Sequence, residues 1–324
     1  MNLPEDPLNR IRSFMKETTC YDAIPDSIST VILDSNLLLI QGAENLIKYN
    51  TLGIPVSENG YFKAILGTND ILLLMHYFYH NTTIEQANLA LKSFRIADVF
   101  NLERPSELQY LDVSIDPDVS LFNAAQLMLH HNQFRAAIVE IIPSRNGKLI
   151  KNYLKDGSLS STGEHVVLSV ITNYRMLRTI AKNCPAHLLE IPAKQLMTIP
   201  KYSCTLDTPM ITVIEMLIRS GVNAIPVLDS QSRVINVYGS PDILSFVGNH
   251  EHLDLNVPIE QAIDKRSAQF EGVHTCKEVD TLGKLMQGFQ KQSIHRVLVA
   301  DDQQKLLGVV RLVDIVRFLV YHDL

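Results

Sequence analysis

The sequence repeats one pattern four times, in which an apolar run, a polar turn, a second apolar run and a helix follow one another. The clearest copy spans residues 293–322, with the sequence SIHRVLVADDQQKLLGVVRLVDIVRFLVYH. Its apolar runs at 296–300 and 307–310 flank a polar turn at 301–304, and Asp314 stands where a helix should begin. Two short apolar runs joined by a tight turn predict a β-hairpin, so the chain is expected to contain four hairpin-helix units.

The other three copies have their hairpins predicted at 53–66, 135–171 and 224–239. Each copy also has an upstream strand and helix, so the unit order is β-α-β-β-α and the fold class is α/β, built from tandem repeats. In the second copy the turn is expanded into an insertion at 143–165, which is expected to be a mobile surface loop without secondary structure. A small sheet with both helices on one face leaves its other face uncovered. The units are therefore expected to pair sheet to sheet, first with second and third with fourth.

The repeats divide the chain into five predicted segments. A short amphipathic helix is predicted within 7–19, and the segment 1–25 that contains it is expected to dock on a partner. The four repeats are then expected at 26–100, 101–186, 187–256 and 257–324.

Composition excludes several classes of protein. The 324 residues carry a formal charge of −6 and no long basic run, which argues against non-specific nucleic-acid binding. No apolar run approaches the roughly 20 residues of a membrane helix, and the N-terminus lacks the apolar region of a secretory signal, so the chain is expected to be soluble. Its four cysteines (Cys20, Cys184, Cys204 and Cys276) form no CxxC pair, which fits a reducing compartment and no zinc site. No GxSxG, P-loop or HExxH motif is present, so no enzyme is predicted.

One position at the start of the last helix is equivalent in all four repeats. It holds Asp70, Arg175, Asp242 and Asp314 in order. An ionised carboxylate can accept two hydrogen bonds from a ribose diol, whereas an arginine accepts none, so the second repeat is predicted to lack such a site. Aspartate is also a favoured helix cap, and the two roles can coexist.

The repeat pattern resembles the cystathionine-β-synthase (CBS) domain, and four in tandem resemble the γ regulatory subunits of AMP-activated protein kinases. The strings LSVITNYRMLRTIAKNC (168–184), FEGVHTC (270–276) and IHRVLVADD (294–302) are similar to the fungal members. The resemblance implies two CBS pairs in a disc-like assembly, with sites for AMP, ADP or ATP facing a central hole. These nucleotides are regulatory ligands, and no catalytic cofactor is implied.

The same resemblance implies a role for each candidate nucleotide-binding residue. The aspartates at 70, 242 and 314 would hold ribose hydroxyls, and no metal site is expected. The residues expected at the phosphates are Arg135, His295, Arg296 and Arg311, and Arg266 is expected at a phosphate or at the ribose. Those expected along the adenine are Val113, Asn223 and Ala224.

This chain departs from the family pattern in ways that predict fewer working sites than animal members have. The family usually carries Ser or Thr three residues before the aspartate, where this chain has Gly67, Gly239 and Arg311. Thr172 keeps the hydroxyl, but in the repeat that lacks the aspartate. Phe134 and Leu52 stand where animal members have a His and an Arg, as in fungal relatives.

The resemblance implies a heterotrimer with a catalytic α subunit and a scaffolding β subunit, located in the cytoplasm and nucleus. It also implies a role in sensing energy state and in the response to glucose. Two alternatives stay open at this point. One is a purely structural scaffold with degenerate sites, and the other is a free-standing CBS protein that binds another adenosyl ligand.

Overall fold

The predicted β-α-β-β-α order recurs along the chain in a computed structural model. The residues that it describes are 6–26, 29–102, 114–143, 152–153, 159–160, 163–184, 190–244, 254–266, 270, 272–291 and 294–322. The sheets are small and open, with at most three strands each. Within the described ranges, no helix has the length and apolar character needed to cross a membrane.

The first repeat has its three strands in the order β1-β2-β3, with β1 parallel and β3 antiparallel to β2. A two-residue turn at Asn59 and Gly60, both with positive φ, joins β2 to β3, and such turns match the twist of paired strands. The polar connector after α3 forms two more helices, α4 and α5. The elements are β1 (Leu33–Asp34), α2 (Leu39–Lys48), β2 (Gly53–Glu58), β3 (Tyr61–Gly67), α3 (Thr68–Asn81), α4 (Ile84–Ser93) and α5 (Ile96–Phe100), preceded by α1 (Pro7–Glu17).

The second repeat has a longer hairpin than the sequence predicts. Its β5 and β8 stay paired, with one register shift between Ile138 and Val139, as far as Pro143 and Gly163. The ladder therefore extends into the predicted insertion from both ends. Two short strands, β6 and β7, also pair inside the insertion, so the expectation of a loop without secondary structure is wrong. The elements are β4 (Ser114–Ile115), α6 (Leu121–His130), β5 (Arg135–Pro143), β6 (Asn152–Tyr153), β7 (Leu159–Ser160), β8 (Gly163–Thr172) and α7 (Asn173–Asn183).

The third and fourth repeats follow the short helix α8 (Ala193–Leu196). In the third, the first strand is reduced to a single bridge between Cys204 and Val227, and the described part of the last helix is a 3-10 turn, Ser240–Ile243. Its other elements are α9 (Met210–Ser220), β9 (Ala224–Leu228) and β10 (Val234–Gly239), followed by α10 (Ile259–Asp264). The fourth contains β11 (Thr275–Cys276), α11 (Leu282–Lys291), β12 (Arg296–Ala300), β13 (Leu306–Arg311) and α12 (Leu312–Tyr321).

The first and second repeats pair sheet to sheet as expected, and the helices add a second set of contacts. Ile65 of the first sheet packs on Ala137 and Val139 of the second, away from both helical cores. Between the third and fourth repeats, the Val234 N–H donates to the Gln304 carbonyl over 2.9 Å. The helices pack crosswise, with one apolar core shared by repeats one and three and another by repeats two and four. The uncovered faces predict the sheet pairing, whereas this crosswise helix packing becomes visible only in the structure.

Helix α1 belongs to the core of repeats two and four. Leu8, Ile11 and Met15 recur at helical spacing, and each has at most 2% of its surface exposed. The Arg12 Nε donates to the Leu319 carbonyl at 2.8 Å, near the end of α12. Since the apolar face of α1 is buried within the chain itself, any contact with a partner there would use the polar face of this helix.

Candidate functional site

A large cavity of ≈ 1220 Å³ opens where the four repeats meet. Thr68 from the first repeat, Phe134 from the second, Asn223 from the third and His295 from the fourth all lie on its wall. These residues come from the turns between each hairpin and its flanking helices, which the repeat symmetry directs towards one centre. Every repeat therefore contributes described residues to this central site.

The cavity brings together most of the residues that the sequence singles out. Asp70, Ala224 and Asp314 are not on its wall, and Val113 lies outside the described residues. The seven that line it are Arg135, Asn223, Asp242, Arg266, His295, Arg296 and Arg311.

The cavity is basic although the whole chain is acidic. Among the described lining residues, seven are Arg or Lys and three are Asp, whereas the chain has a formal charge of −6. Like charges gathered in a concave wall produce a local positive potential, which attracts anions. The cations are Arg135, Arg175, Arg178, Lys182, Arg266, Arg296 and Arg311, and the acids are Asp22, Asp26 and Asp242.

The three equivalent aspartates all cap a helix, but from inside it. Asp70, Asp242 and Asp314 lie at the third position of the helix, and each accepts a hydrogen bond of 2.7–2.9 Å from the backbone N–H three residues earlier. The expectation that these residues stand before the helix, at the cap position itself, is wrong. Gly67, Gly239 and Arg311 occupy that position. A carboxylate in the first turn still satisfies an otherwise unpaired backbone donor and favours the helix dipole.

Asp242 is held by Arg266, which reaches it from beyond the third repeat. The Arg266 Nη2 donates to Asp242 Oδ2 at 3.0 Å, and its Nε lies 2.9 Å from Oδ1 without hydrogen-bond alignment. Both side chains are less than 10% exposed. Burial raises the pKa of Asp242 above its usual value, and the Arg266 charge opposes that rise. The pair is thus a buried ion pair at the edge of the cavity.

Arg266 is itself fixed by three further contacts. Its Nη1 donates to Asn236 Oδ1 at 2.9 Å, and its Nη2 donates to the Val237 carbonyl at 2.5 Å. Its guanidinium carbon lies 3.7 Å from the centre of the Phe270 ring, within cation–π distance. Because these contacts fix the plane of the guanidinium, Arg266 orients the Asp242 carboxylate. The side chain of Arg266 is itself almost fully buried.

Asp314 is covered in a different way, by the residue that precedes its helix. The Arg311 Nε donates to Asp314 Oδ2 at 2.8 Å and its Nη2 donates to Oδ1 at 2.7 Å, so the pair is bidentate. Arg311 lines the cavity and Asp314 does not. The arginine that replaces the family's hydroxyl therefore lies between the fourth-repeat carboxylate and the cavity.

The remaining two equivalent positions are also unlike an open diol site. Asp70 is only 1% exposed and lies behind the cavity wall. Arg175 donates to the Ser169 hydroxyl at 2.6 Å and to the Val170 carbonyl at 2.7 Å, and its backbone N–H donates to Thr172 Oγ1 at 3.1 Å. Burial lowers the pKa of Arg175. Of the three equivalent carboxylates, only Asp242 lies on the described part of the cavity wall.

Three basic residues from the second and fourth repeats complete the wall. Arg135 donates to the Leu52 carbonyl and approaches Gly53, where an added Cβ would meet its guanidinium. Arg296 is 8% exposed, and its charge opposes the raised pKa of Asp242. The His295 ring lies 5.8 Å from that of Tyr174. Basic side chains from two separate segments thus lie on the same wall as Asp242.

Two hydroxyls at the cavity wall, one residue after the position of the family's hydroxyl, form a contact that the sequence does not predict. Thr68 Oγ1 and Ser240 Oγ share a hydrogen bond of 2.9 Å, and both residues are 1% exposed. They follow Gly67 and Gly239, the glycines that replace the family's hydroxyl. Thr68 and Ser240 occupy equivalent positions in repeats one and three, and this equivalence in the sequence could have indicated that they contact each other.

Three comparisons relate the chain to known proteins. The family model for the CBS domain matches residues 193–249 and 270–321. The chain is 31% identical over 317 residues to the 5'-AMP-activated protein kinase subunit gamma of Saccharomyces cerevisiae, covering 96% of this chain and 92% of the relative. It is 29% identical over 321 residues to the protein of the same name in Kluyveromyces lactis, with 97% and 92% covered.

A solved structure shares the fold at lower sequence identity. It is a protein of Methanocaldococcus jannaschii, described as an archaeal homologue of the same γ subunit, with a TM-score of 0.69 and 17% identity. The match covers 90% of this chain and 97% of that one. At this identity the likeness shows the fold, four tandem CBS repeats, and no more.

Proposed function

The chain belongs to the γ-subunit family of the AMP-activated protein kinases, and we propose that it senses cellular energy state. It would do so as the non-catalytic regulatory subunit of such a kinase, by binding AMP, ADP or ATP in its central cavity. The observation that carries the proposal is a basic cavity in which only one of the three equivalent aspartates, Asp242, lies on the described wall. Seven cations suit the phosphates, and Asp242 suits a ribose diol.

Asp242 retains capacity to accept a ribose hydroxyl. A carboxylate offers about four lone-pair sites, and the Gly239 N–H and Arg266 Nη2 both donate to Oδ2. Oδ1 lies 2.9 Å from the Arg266 Nε, and this contact lacks hydrogen-bond alignment. A diol would therefore donate to Oδ1, and Arg266 would keep the carboxylate oriented and ionised.

The phosphates would lie towards the fourth repeat. Arg296 acts on Asp242 electrostatically and His295 is its chain neighbour, so both are close enough for one nucleotide to span ribose and phosphate sites. Arginine presents a planar fork that matches phosphate oxygens. Asn223, whose carbonyl accepts from the Ser240 N–H at 2.9 Å, would lie along the base, with Ala224 beside it.

We expect one nucleotide site per chain. Asp314 is covered by its bidentate partner Arg311, Asp70 is buried behind the wall, and the second repeat has Arg175 in place of an acid. A nucleotide that binds one arrangement of the kinase subunits more tightly than another would shift the balance between them. The proposed partners are a catalytic α subunit and a scaffolding β subunit, in the cytoplasm and nucleus, where the complex would take part in the glucose response.

Calorimetric titration of the full chain with AMP, ADP and ATP tests the proposal. Asp242→Asn should weaken binding by roughly ten- to hundredfold, because a hydrogen bond to a charged group contributes about 1.5–3 kcal/mol. Asp314→Asn is the matched control, since it changes an equivalent capping carboxylate that is covered. If no heat is released at millimolar nucleotide, the result would instead support the scaffold alternative. That alternative is favoured by the arginine partners of Asp242 and Asp314, which occupy the carboxylates. Loss of binding in Asp314→Asn alone would place the site in the fourth repeat.

A further inference from the structure

Two histidines and a glutamate meet on the outer side of the helices shared by repeats one and three. His76 and His80 lie four residues apart on α3, so they share one face of the helix, and Glu215 projects from the neighbouring α9. One ligand atom from each of the three lies within 4.8 Å of the others. The sequence places these residues in different repeats, and only the crosswise helix packing brings them together.

The geometry of the cluster is close to that of a transition-metal site. His80 Nε2 lies 3.4 Å from Glu215 Oε1. Two ligands of a tetrahedral zinc ion, each at about 2.0–2.1 Å, are separated by about 3.3 Å. The His76 and His80 rings have centres 4.5 Å apart, so a modest side-chain rotation would close the third edge. Two histidines at this helical spacing are a recurrent zinc-ligand arrangement.

The surroundings support a ligand role for each side chain. The second glutamate oxygen, Oε2, lies 3.4 Å from Arg219 Nη2 on the same helix, which leaves Oε1 directed at the histidines. Carboxylate ligands in metal sites are commonly held in this way by an outer partner. His80 is 44% exposed, so solvent and a metal ion can reach the cluster.

We propose that His76, His80 and Glu215 form a binding site for a divalent transition-metal ion, with Zn²⁺ as the best fit to its ligand set. Three protein ligands leave a fourth position open to water or to a side chain of a neighbouring protein. The ion would join α3 to α9, and hence repeat one to repeat three, and none of its three ligands lines the central cavity. This site does not depend on nucleotide binding.

The alternative reading of the same contacts is an ordinary surface ion pair. A protonated His80 beside Glu215 would need no metal, and exposed pairs of this kind contribute about 0–1 kcal/mol. The two readings differ in the role of His76, which adds nothing to an ion pair but supplies the third ligand of a metal site. They also differ in their response to added metal.

Titration of the full-length chain, purified without a histidine tag, with Zn²⁺ alone distinguishes them. We expect one Zn²⁺ per chain and a rise in the melting temperature of the wild type. His80→Ala, which changes an exposed side chain, should weaken Zn²⁺ binding at least about tenfold and abolish the thermal shift. Glu215→Gln should do the same while keeping the shape of the side chain. Co²⁺ in place of Zn²⁺ should give visible absorption bands in the wild type that both variants lose.

The matched control is His130→Ala on α6. His130 and His131 also have rings in contact, 4.9 Å between centres, but they are adjacent in sequence and do not share a helix face. The control should bind Zn²⁺ like the wild type. Equal Zn²⁺ affinity in wild type and His80→Ala, equal loss in His130→Ala, or no Zn²⁺ binding by the wild type would each overturn the proposal.

Discussion

Replacing Arg266 tests whether the buried Asp242–Arg266 pair organises the cavity. Arg266→Met keeps most of the apolar volume and removes the charge, so Asp242 is left buried without its principal partner. Removing one member of a buried ion pair typically costs about 3–5 kcal/mol, because the remaining charge is neither hydrated nor compensated. Both side chains are less than 10% exposed, so the full range applies with little solvent screening.

The penalty should depend on pH in a defined direction. Burial already raises the pKa of Asp242, and Arg266 opposes that rise, so the variant's carboxyl will have a still higher pKa. A carboxyl with a raised pKa destabilises the folded state when it is ionised and does so less as the pH falls through its folded pKa. The loss of stability in Arg266→Met should therefore be larger at about pH 8 than at about pH 5.

Urea unfolding of wild type, both single variants and the double variant Asp242→Asn/Arg266→Met measures the coupling directly. Neutralising Asp242 should recover most of the loss, because no buried charge then remains, and should remove its pH dependence. A cost below about 1 kcal/mol for Arg266→Met, or an equal cost with Asn at position 242, would refute the account of a buried, compensated charge. Arg219→Met, which removes a mostly exposed partner of Glu215, is a control expected to change stability by less than about 1 kcal/mol.

Three further predictions concern parts of the fold that position the cavity. Thr68→Val should cost about 1–3 kcal/mol in thermal or urea unfolding, because the Ser240 hydroxyl loses this partner. Adding Ser240→Ala should recover part of the lost stability. Equal stability of Thr68→Val and wild type would contradict the buried pair. Ile11→Ala should cost about 2–5 kcal/mol by opening a cavity under α1, whereas a change below about 0.5 kcal/mol would mean that α1 is not part of the core. Burial raises the pKa of all four cysteine thiols. Iodoacetamide at about pH 8 should therefore label none of them in the native chain and all four after unfolding, and mass spectrometry would count the labels.

The repeat architecture could be predicted from sequence because its signals are local. Apolar runs of strand length, polar turns and helical spacing each occupy a few neighbouring residues, and Asn59-Gly60 marks a hairpin turn directly. The hairpin of the second repeat was misjudged because Gly, Ser and Lys in 143–165 indicate a loop by composition. The β5–β8 ladder nevertheless continues to Pro143 and Gly163, since antiparallel register carries pairing beyond the apolar residues.

The sequence predicts most of the residues that line the candidate site, but it does not predict which of them contact one another. The family resemblance indicates which residues lie near the cavity, and seven of the eleven line it. It does not indicate that Arg266 and Arg311 are directed at carboxylates, because the partner of an arginine depends on distances of a few ångströms between segments. The His76, His80 and Glu215 cluster illustrates the same limit. The spacing of its histidines is visible in the sequence, whereas Glu215 is brought there only by packing of α9 on α3.

The four equivalent positions show how one repeat can diverge without losing its fold. A carboxylate in the first helical turn caps the helix whether or not it binds a ligand, so capping preserves the aspartate even where ligand binding is lost. In the fourth repeat a local arginine, Arg311, covers the carboxylate, and in the second an arginine replaces it. In the third the arginine comes from outside the repeat, its Nη2 donates to Oδ2, and Asp242 lies on the cavity wall. Under the proposed function, the position of each carboxylate relative to the cavity wall, rather than the presence of the aspartate, would therefore decide which repeat can take a nucleotide.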